Sequence, residues 1–196
     1  MNIRLLAAAA ALAISAGAQA APVFSDSFTG NATGVDLTPA GWTVSSGTND
    51  VDIIGNGYFD FIPANGVYID LGGSNNVAGA AVLSTSFAAT AGDTYTATFQ
   101  LAGNQRGAGT DTVTVMLGDT AFTSPVLNSA DGFATFSITT VATGSSLTLS
   151  FEDSRDGNIG ALLDNVSVSA VPEPTNVALM MAGLLGLGFA ARRRRG

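Results

Sequence analysis

The sequence predicts an all-β body, an antiparallel two-sheet sandwich, set between two processing segments. Three observations carry this reading. Apolar residues alternate with Thr and Ser at period two through much of the middle of the chain, the breaks between these runs carry turn residues, and residues 21–171 show no sustained helical period. The alternation is clearest where Tyr95, Ala97, Phe99 and Leu101 interleave with Thr94, Thr96, Thr98 and Gln100.

Taken in order, the candidate strands are 23–28, 42–45, 51–54, 58–62, 67–71 and 81–87, followed by the run at 94–101. Val113, Val115 and Leu117 continue the pattern, as do Phe136 with Ile138, then Leu147, Leu149 and Phe151. Leu162, Asp164, Val166 and Val168 close the body at one parity, which predicts that Asp164 points into the sandwich. Turns are expected at Asn56-Gly57, Asn65-Gly66, Gly72-Gly73, Ala91-Gly92-Asp93, Asp131-Gly132 and Asp156-Gly157. Roughly ten short strands in such a length make two packed sheets with one core.

Composition removes whole classes of chemistry. The 196 residues include no cysteine and no histidine, which excludes disulfides, thiol nucleophiles, imidazole bases and zinc held by nitrogen or sulfur. The chain has no lysine. Its net charge of −8 conceals an uneven distribution. Between residues 21 and 171, Arg106 and Arg155 face thirteen aspartates and Glu152, leaving the body at −12. Such a surface repels nucleic acid and anionic headgroups, while neutral sugars and divalent cations remain compatible.

Both ends read as address segments. Arg4, the apolar run 5–16 and Ala18-Gln19-Ala20 have the three parts of a secretory signal peptide, so signal peptidase is expected to cut before Ala21. The apolar run is too short to span a bilayer. At the other end, Pro172-Glu173-Pro174 precedes an apolar segment, 175–191, broken only by Asn176, and then Arg192, Arg193, Arg194 and Arg195. Seventeen helical residues rise ~25 Å, enough for a short transmembrane helix, and the arginines favour the cytoplasmic side. The expected organisation is therefore a signal peptide (1–20), a β-sandwich (21–170) and a sorting segment (171–196).

This tail resembles the PEP-CTERM sorting signal, a Pro-Glu-Pro motif followed by an Ala/Gly/Leu-rich helix and an arginine cluster. The resemblance implies processing by an exosortase in a Gram-negative bacterium that makes exopolysaccharide. It further implies transient residence in the inner membrane, then delivery to the cell surface or the extracellular matrix.

The body is similar to the galactose-binding-like jelly rolls of carbohydrate-binding modules. The similarity lies in FSDSFTG at 24–30, Gly41-Trp42-Thr43-Val44, Tyr68-Ile69-Asp70-Leu71-Gly72, YTATFQLAG at 95–103 and Leu163-Asp164-Asn165-Val166-Ser167-Val168. It implies a jelly-roll topology and a structural Ca2+ between the first and closing strands, with Asp164 as a ligand and Asp26 nearby. Thr29 stands where related modules place Glu. The alternative for Asp164 is to accept backbone amides or to pair with Arg155.

The candidate ligand surface is aromatic. Trp42 is expected in the core, whereas Tyr58 and Phe59 are adjacent, so as strand residues one of their rings must face outward. With Asp60 and Arg106 they form the expected ligand-binding set. The Gly-rich loop 103–110 lacks the GKS or GKT of a phosphate loop, and the acids at 152–156 lack EF-hand spacing. No aspartate sits in a recognisable acid–base constellation, so the chain is read as a non-enzyme. Two functions remain: binding of exopolysaccharide or another glycan, and a structural, hydrating matrix role without a ligand site.

Overall fold

The computed structural model describes residues 21–45, 50–75 and 78–171; the expected signal peptide and the tail from Pro172 onward lie outside the described residues. All described regular structure is β. The strands are β1 (Pro22–Asp26), β2 (Thr43–Val44), β3 (Asp52–Gly55), β4 (Val67–Asp70), β5 (Val82–Ala88), β6 (Thr94–Ala102) and β7 (Thr110–Asp111). They continue as β8 (Val113–Leu117), β9 (Thr120–Thr123), β10 (Leu127–Asn128), β11 (Ala134–Val141), β12 (Ser146–Asp153) and β13 (Leu162–Ala170).

Two antiparallel sheets face each other, as expected. The wider has the order β11-β6-β13-β4-β3 with β1 also on β13, and the other runs β2-β5-β12-β8-β9. A short β7–β10 ladder lies beside them. The strands β7, β9 and β10 were not expected; each has four residues or fewer, too short to show a period. Residues 58–62, expected as a strand, instead belong to the β3–β4 connection. Asn56 and Gly57 both have positive φ, and Gly55 and Tyr58 exchange two backbone hydrogen bonds, so a tight hairpin turn ends β3 before that segment begins.

The period-two pattern buries one side of each sheet. Tyr95, Phe99 and Leu101 of β6 and Leu163, Val166 and Val168 of β13 pack against Leu83, Val115, Leu149 and Phe151 of the other sheet. Phe99 and Phe151 meet edge to face at 5.1 Å. Trp42 is buried against Phe24, Phe28 and Phe151, and its indole N–H donates to Asp26 at 2.8 Å. Full burial of each such side chain stabilises the fold by about 1.5–3 kcal/mol.

β13 decides where polar groups go. One edge pairs with β6, while the other pairs first with β4 at Leu162–Leu163 and then with β1 from Val166 to Ser169. Between them the register slips at Asp164–Ser167, and Asn165 adopts φ 49°. This bulge overturns the simple parity reading. Leu163, Val166 and Val168 face the main core, whereas Leu162 joins Ile54, Tyr68 and Ala102 in a second cluster on the opposite face. Asp164 precedes the bulge and so shares the face of Leu162, not of Val166, outside the main core.

Candidate functional site

The second apolar cluster is the floor of the candidate site. On β3 and β4, alternation sends Ile53 and Ile69 to the main core, leaving Asp52, Ile54, Tyr68 and Asp70 on the other face. Phe61 and Ile62 of the 56–66 connection pack over that cluster, and the Tyr68 hydroxyl accepts the Ile62 N–H at 2.9 Å. The same hydroxyl donates to Asp60 at 3.4 Å, and Asp60 also accepts the Gly57 N–H at 3.2 Å. Asp60 is therefore a brace of the loop.

The loop presents aromatic rings to solvent. Phe59 has φ 42°, uncommon for a bulky residue, and is 56% exposed; Tyr58 is exposed beside it, with ring centroids 4.9 Å apart. Because 58–62 is not a strand, the alternation argument fails and both rings face outward. Phe59 also approaches Phe61 at 6.5 Å. Phe61 in turn lies under Arg106, whose guanidinium carbon is 4.9 Å from the ring centroid.

Arg106 arrives from the β6–β7 loop and ties three segments together. It donates to Asp70 at 2.5 Å and to the Asn158 carbonyl at 2.6 Å. Asp70 also accepts the Gly72 and Gly160 N–H groups at 2.9 and 3.1 Å. That geometry requires glycine: a Cβ on Gly72 would lie 2.6 Å from the Gly160 nitrogen. Burial pushes the Asp70 carboxyl up to about 7, outweighing the opposing pull of Arg106 and the two amides. Between these elements is a cleft of about 260 Å³, lined by Asp52, Ile54, Phe59, Phe61, Asp70 and Arg106, among others.

Three of the four expected ligand residues thus gather at one place: Phe59 and Arg106 line the cleft and Tyr58 stands against Phe59, while Asp60 braces the loop behind them. Asp52 and Asn158 also line it and were not singled out in the sequence. The parity of β3 gave a signal for Asp52; Asn158 carries none, because its place depends on how the β12–β13 loop crosses to Arg106.

Asp26 and Asp164, the expected calcium ligands, lie close enough that Asp26 raises the carboxyl of Asp164, although burial is the larger cause. Ser25, Asp26, Ser27, Asn165, Val166 and Ser167 line an open hollow of about 410 Å³ there. Its acids are already engaged by N–H donors. Asp26 accepts Phe28 N–H at 2.7 Å and the Trp42 indole, and Asp164 accepts Asn165 N–H at 2.6 Å and the Asn65 amide at 2.9 Å. Calcium takes six to eight hard oxygens. Two carboxylates ringed by amides do not fit it, and among the described residues no group of three or more His, Cys, Asp or Glu is placed to hold a metal. Arg155 is elsewhere, 3.4 Å from Asp111.

Comparison with known proteins bears on the tail and on the body. Residues 170–195 match the PEP-CTERM protein-sorting motif. No curated protein matches the sequence. Among solved structures, the CBM22-1 xylan-binding domain of Paenibacillus barcinonensis Xyn10C superposes with a TM-score of 0.55 at 14% identity, over 79% of this chain and 97% of that one. The CBM22-1 and GH10 modules of Clostridium thermocellum xylanase 10B, complexed with xylohexaose, give 0.51 at 15% identity, covering 79% of this chain and 29% of that one. The K3 cleaved adhesin domain of Lys-gingipain from Porphyromonas gingivalis gives 0.54 at 14% identity, over 76% and 99% of the two chains. At these identities the likeness is one of fold: the body shares the β-sandwich of these domains, and residues 170–195 carry a PEP-CTERM sorting motif.

Proposed function

We propose that this protein is an exported, non-catalytic glycan-binding module, and that it takes a neutral sugar at the cleft between the 56–66 loop and Arg106. The carrying observation is the exposed Tyr58–Phe59 pair beside a cleft lined by Ile54, Phe59 and Phe61. A pyranose offers an apolar C–H face to such rings, and sites of this kind combine apolar lining with few polar groups. Arg106 is held by Asp70, and the body carries −12, so polyanionic glycans are disfavoured. That a similarly folded relative is a xylan-binding domain supports the class of ligand.

Catalysis finds no foothold in the same cleft. Asp70 is raised to about 7, as a general acid needs, but it is 1% exposed and its oxygens are held by Arg106 and two amides. The placement also suits a sorted surface protein. Val171 leaves beside Thr94, at the start of β6, whereas Arg106 follows the far end of that strand. Nine strand residues span ~30 Å, so the cleft lies at the far end of β6 from Val171, the last described residue. The inner membrane holds the precursor by its sorting tail, and exopolysaccharide at the cell surface or in the matrix is the expected ligand source.

The test is a glycan array with the full-length chain, repeated with Phe59→Ala and Tyr58→Ala. Retention on neutral glycans that both variants lose supports the reading; no retention on any glycan overturns it in favour of the structural matrix role.

A further inference from the structure

We propose that Asn56 is a self-modifying site: the Gly57 amide nitrogen, its proton accepted by Asp60, closes on the Asn56 side-chain carbonyl and converts the asparagine to aspartate and isoaspartate. The hairpin turn after β3 calls for positive φ at both central residues, and Asn56 (φ 51°) with Gly57 (φ 86°) supplies them. Gly55 and Tyr58 exchange the two backbone hydrogen bonds of that turn, which leaves the Gly57 N–H outside the pairing. It donates instead to Asp60, at 3.2 Å. A carboxylate in hydrogen-bond contact with a proton that must leave is placed as a general base.

The surroundings are open. Asn56 and Gly57 are both exposed, and a Cβ on Gly57 would meet no atom within 4 Å, so nothing crowds the attacking nitrogen. Among the described residues no hydrogen bond holds the Asn56 amide, which leaves its carbonyl able to turn toward Gly57. In the reaction a bond forms between the Gly57 nitrogen and Asn56 Cγ, and the bond from Cγ to Nδ2 breaks. The proton taken by Asp60 passes to the departing nitrogen, which leaves as ammonia. Water then opens the cyclic imide at either carbonyl, giving aspartate or isoaspartate, with no oxidant or reductant involved.

The sequence holds a second Asn-Gly pair, Asn65-Gly66, and the fold treats it in the opposite way. The Asn65 side-chain nitrogen, the group that would have to leave, donates to Asp164 at 2.9 Å, and Asn65 is half-buried. Among the described residues no carboxylate accepts the Gly66 N–H. Local sequence is the same at both places, so the difference belongs to the structure. Isoaspartate at 56 would add one carbon to the backbone of the turn two residues before Tyr58. The inference stands apart from the glycan reading, because its readout is the chemical state of residue 56.

The test holds the full-length protein in neutral buffer and follows, by peptide mapping and mass spectrometry, the exchange of amide for acid at residues 56 and 65. In the folded chain Asn56 should convert about tenfold faster than Asn65, or more, and in urea the two rates should become similar. Asp60→Asn keeps an oxygen to accept the Gly57 N–H but removes the base, and should slow conversion at 56 by about tenfold. Tyr68→Phe deletes the other hydrogen bond to Asp60 and loosens the same loop, yet should leave conversion in place. Equal rates at 56 and 65 in the folded chain, a preference for 56 that persists in urea, or an Asp60→Asn variant that converts like the wild type or like Tyr68→Phe overturns the proposal.

Discussion

Two buried carboxylates on the outer face of one sheet, Asp70 and Asp164, solve the same problem in different ways. Each is nearly inaccessible, and burial raises the carboxyl of each. Asp70 is answered by a cation and two backbone amides, whereas Asp164 is answered by amide groups alone. The cationic solution ties three distant loops to one point and builds a cleft. The amide solution seals a bulge. A charge partner thus organises surrounding structure, while neutral donors satisfy what the chain has already placed.

The largest expected effect comes from deleting the first arrangement. Asp70→Ala strands the Arg106 guanidinium and leaves the Gly72 and Gly160 amides without their acceptor, a loss expected at about 3–5 kcal/mol. Asp164→Ala removes no cation's partner, so about 1–3 kcal/mol is expected. Urea unfolding of the two variants ranks them directly. Equal losses would mean that Arg106 contributes nothing beyond its hydrogen bonds.

The second expectation concerns pH. Asp70 is raised to about 7 and Asp153 to about 6 from 3.8, in both cases chiefly by burial. A carboxyl raised on folding holds its proton more tightly in the native state, so its contribution is complete below about pH 4 and is lost as pH rises through the folded value. The melting temperature should therefore fall between pH 4 and pH 7. Arg106→Gln removes a group that lowers Asp70, and should carry the decline to higher pH. Asp70→Asn should flatten its share of the profile and leave the part that belongs to Asp153 and Asp164.

How far the sequence made this visible depends on whether a residue sits in a long regular strand. Tyr95 to Leu101 declare their faces by period two, and the structure keeps them. Asp164 does not follow its apparent parity, because the bulge at Asn165 is encoded by pairing with β1 and β4 rather than by local alternation. Tyr58 and Phe59 were identified as candidates although the strand assumed for them does not form; their side-chain chemistry was legible and their backbone was not. The Arg106–Asp70 pair joins residues 36 apart, a distance no local pattern encodes.

The ring pair should separate binding from folding. Phe59 is mostly exposed and holds a left-handed φ, so Phe59→Ala removes little buried area, and stability should stay within about 0.5 kcal/mol. Binding to a neutral glycan, measured by calorimetry, should fall about tenfold or more, about 1.4 kcal/mol. A variant that melts lower and binds normally would make Phe59 a lid on the Ile54–Tyr68 cluster instead of a contact for ligand.

The smallest expected effect concerns the Asp26–Asp164 hollow, where addition of a chelator should leave the melting temperature unchanged. Both acids already accept N–H groups, and a cation would have to displace the Trp42 indole, the Asn65 amide or backbone donors to gain oxygens. Asn65→Asp sharpens the test, since it swaps a donor to Asp164 for a third carboxylate at the same place. The variant should melt lower than the wild type without added metal, through like-charge repulsion, and recover when calcium is supplied. Recovery in the variant with no calcium response in the wild type would show that the amide of Asn65 is what makes this bulge self-sufficient. A calcium-dependent rise in the wild type would instead mean that the amides yield to a cation, and that the two buried carboxylates are both organised by positive charge.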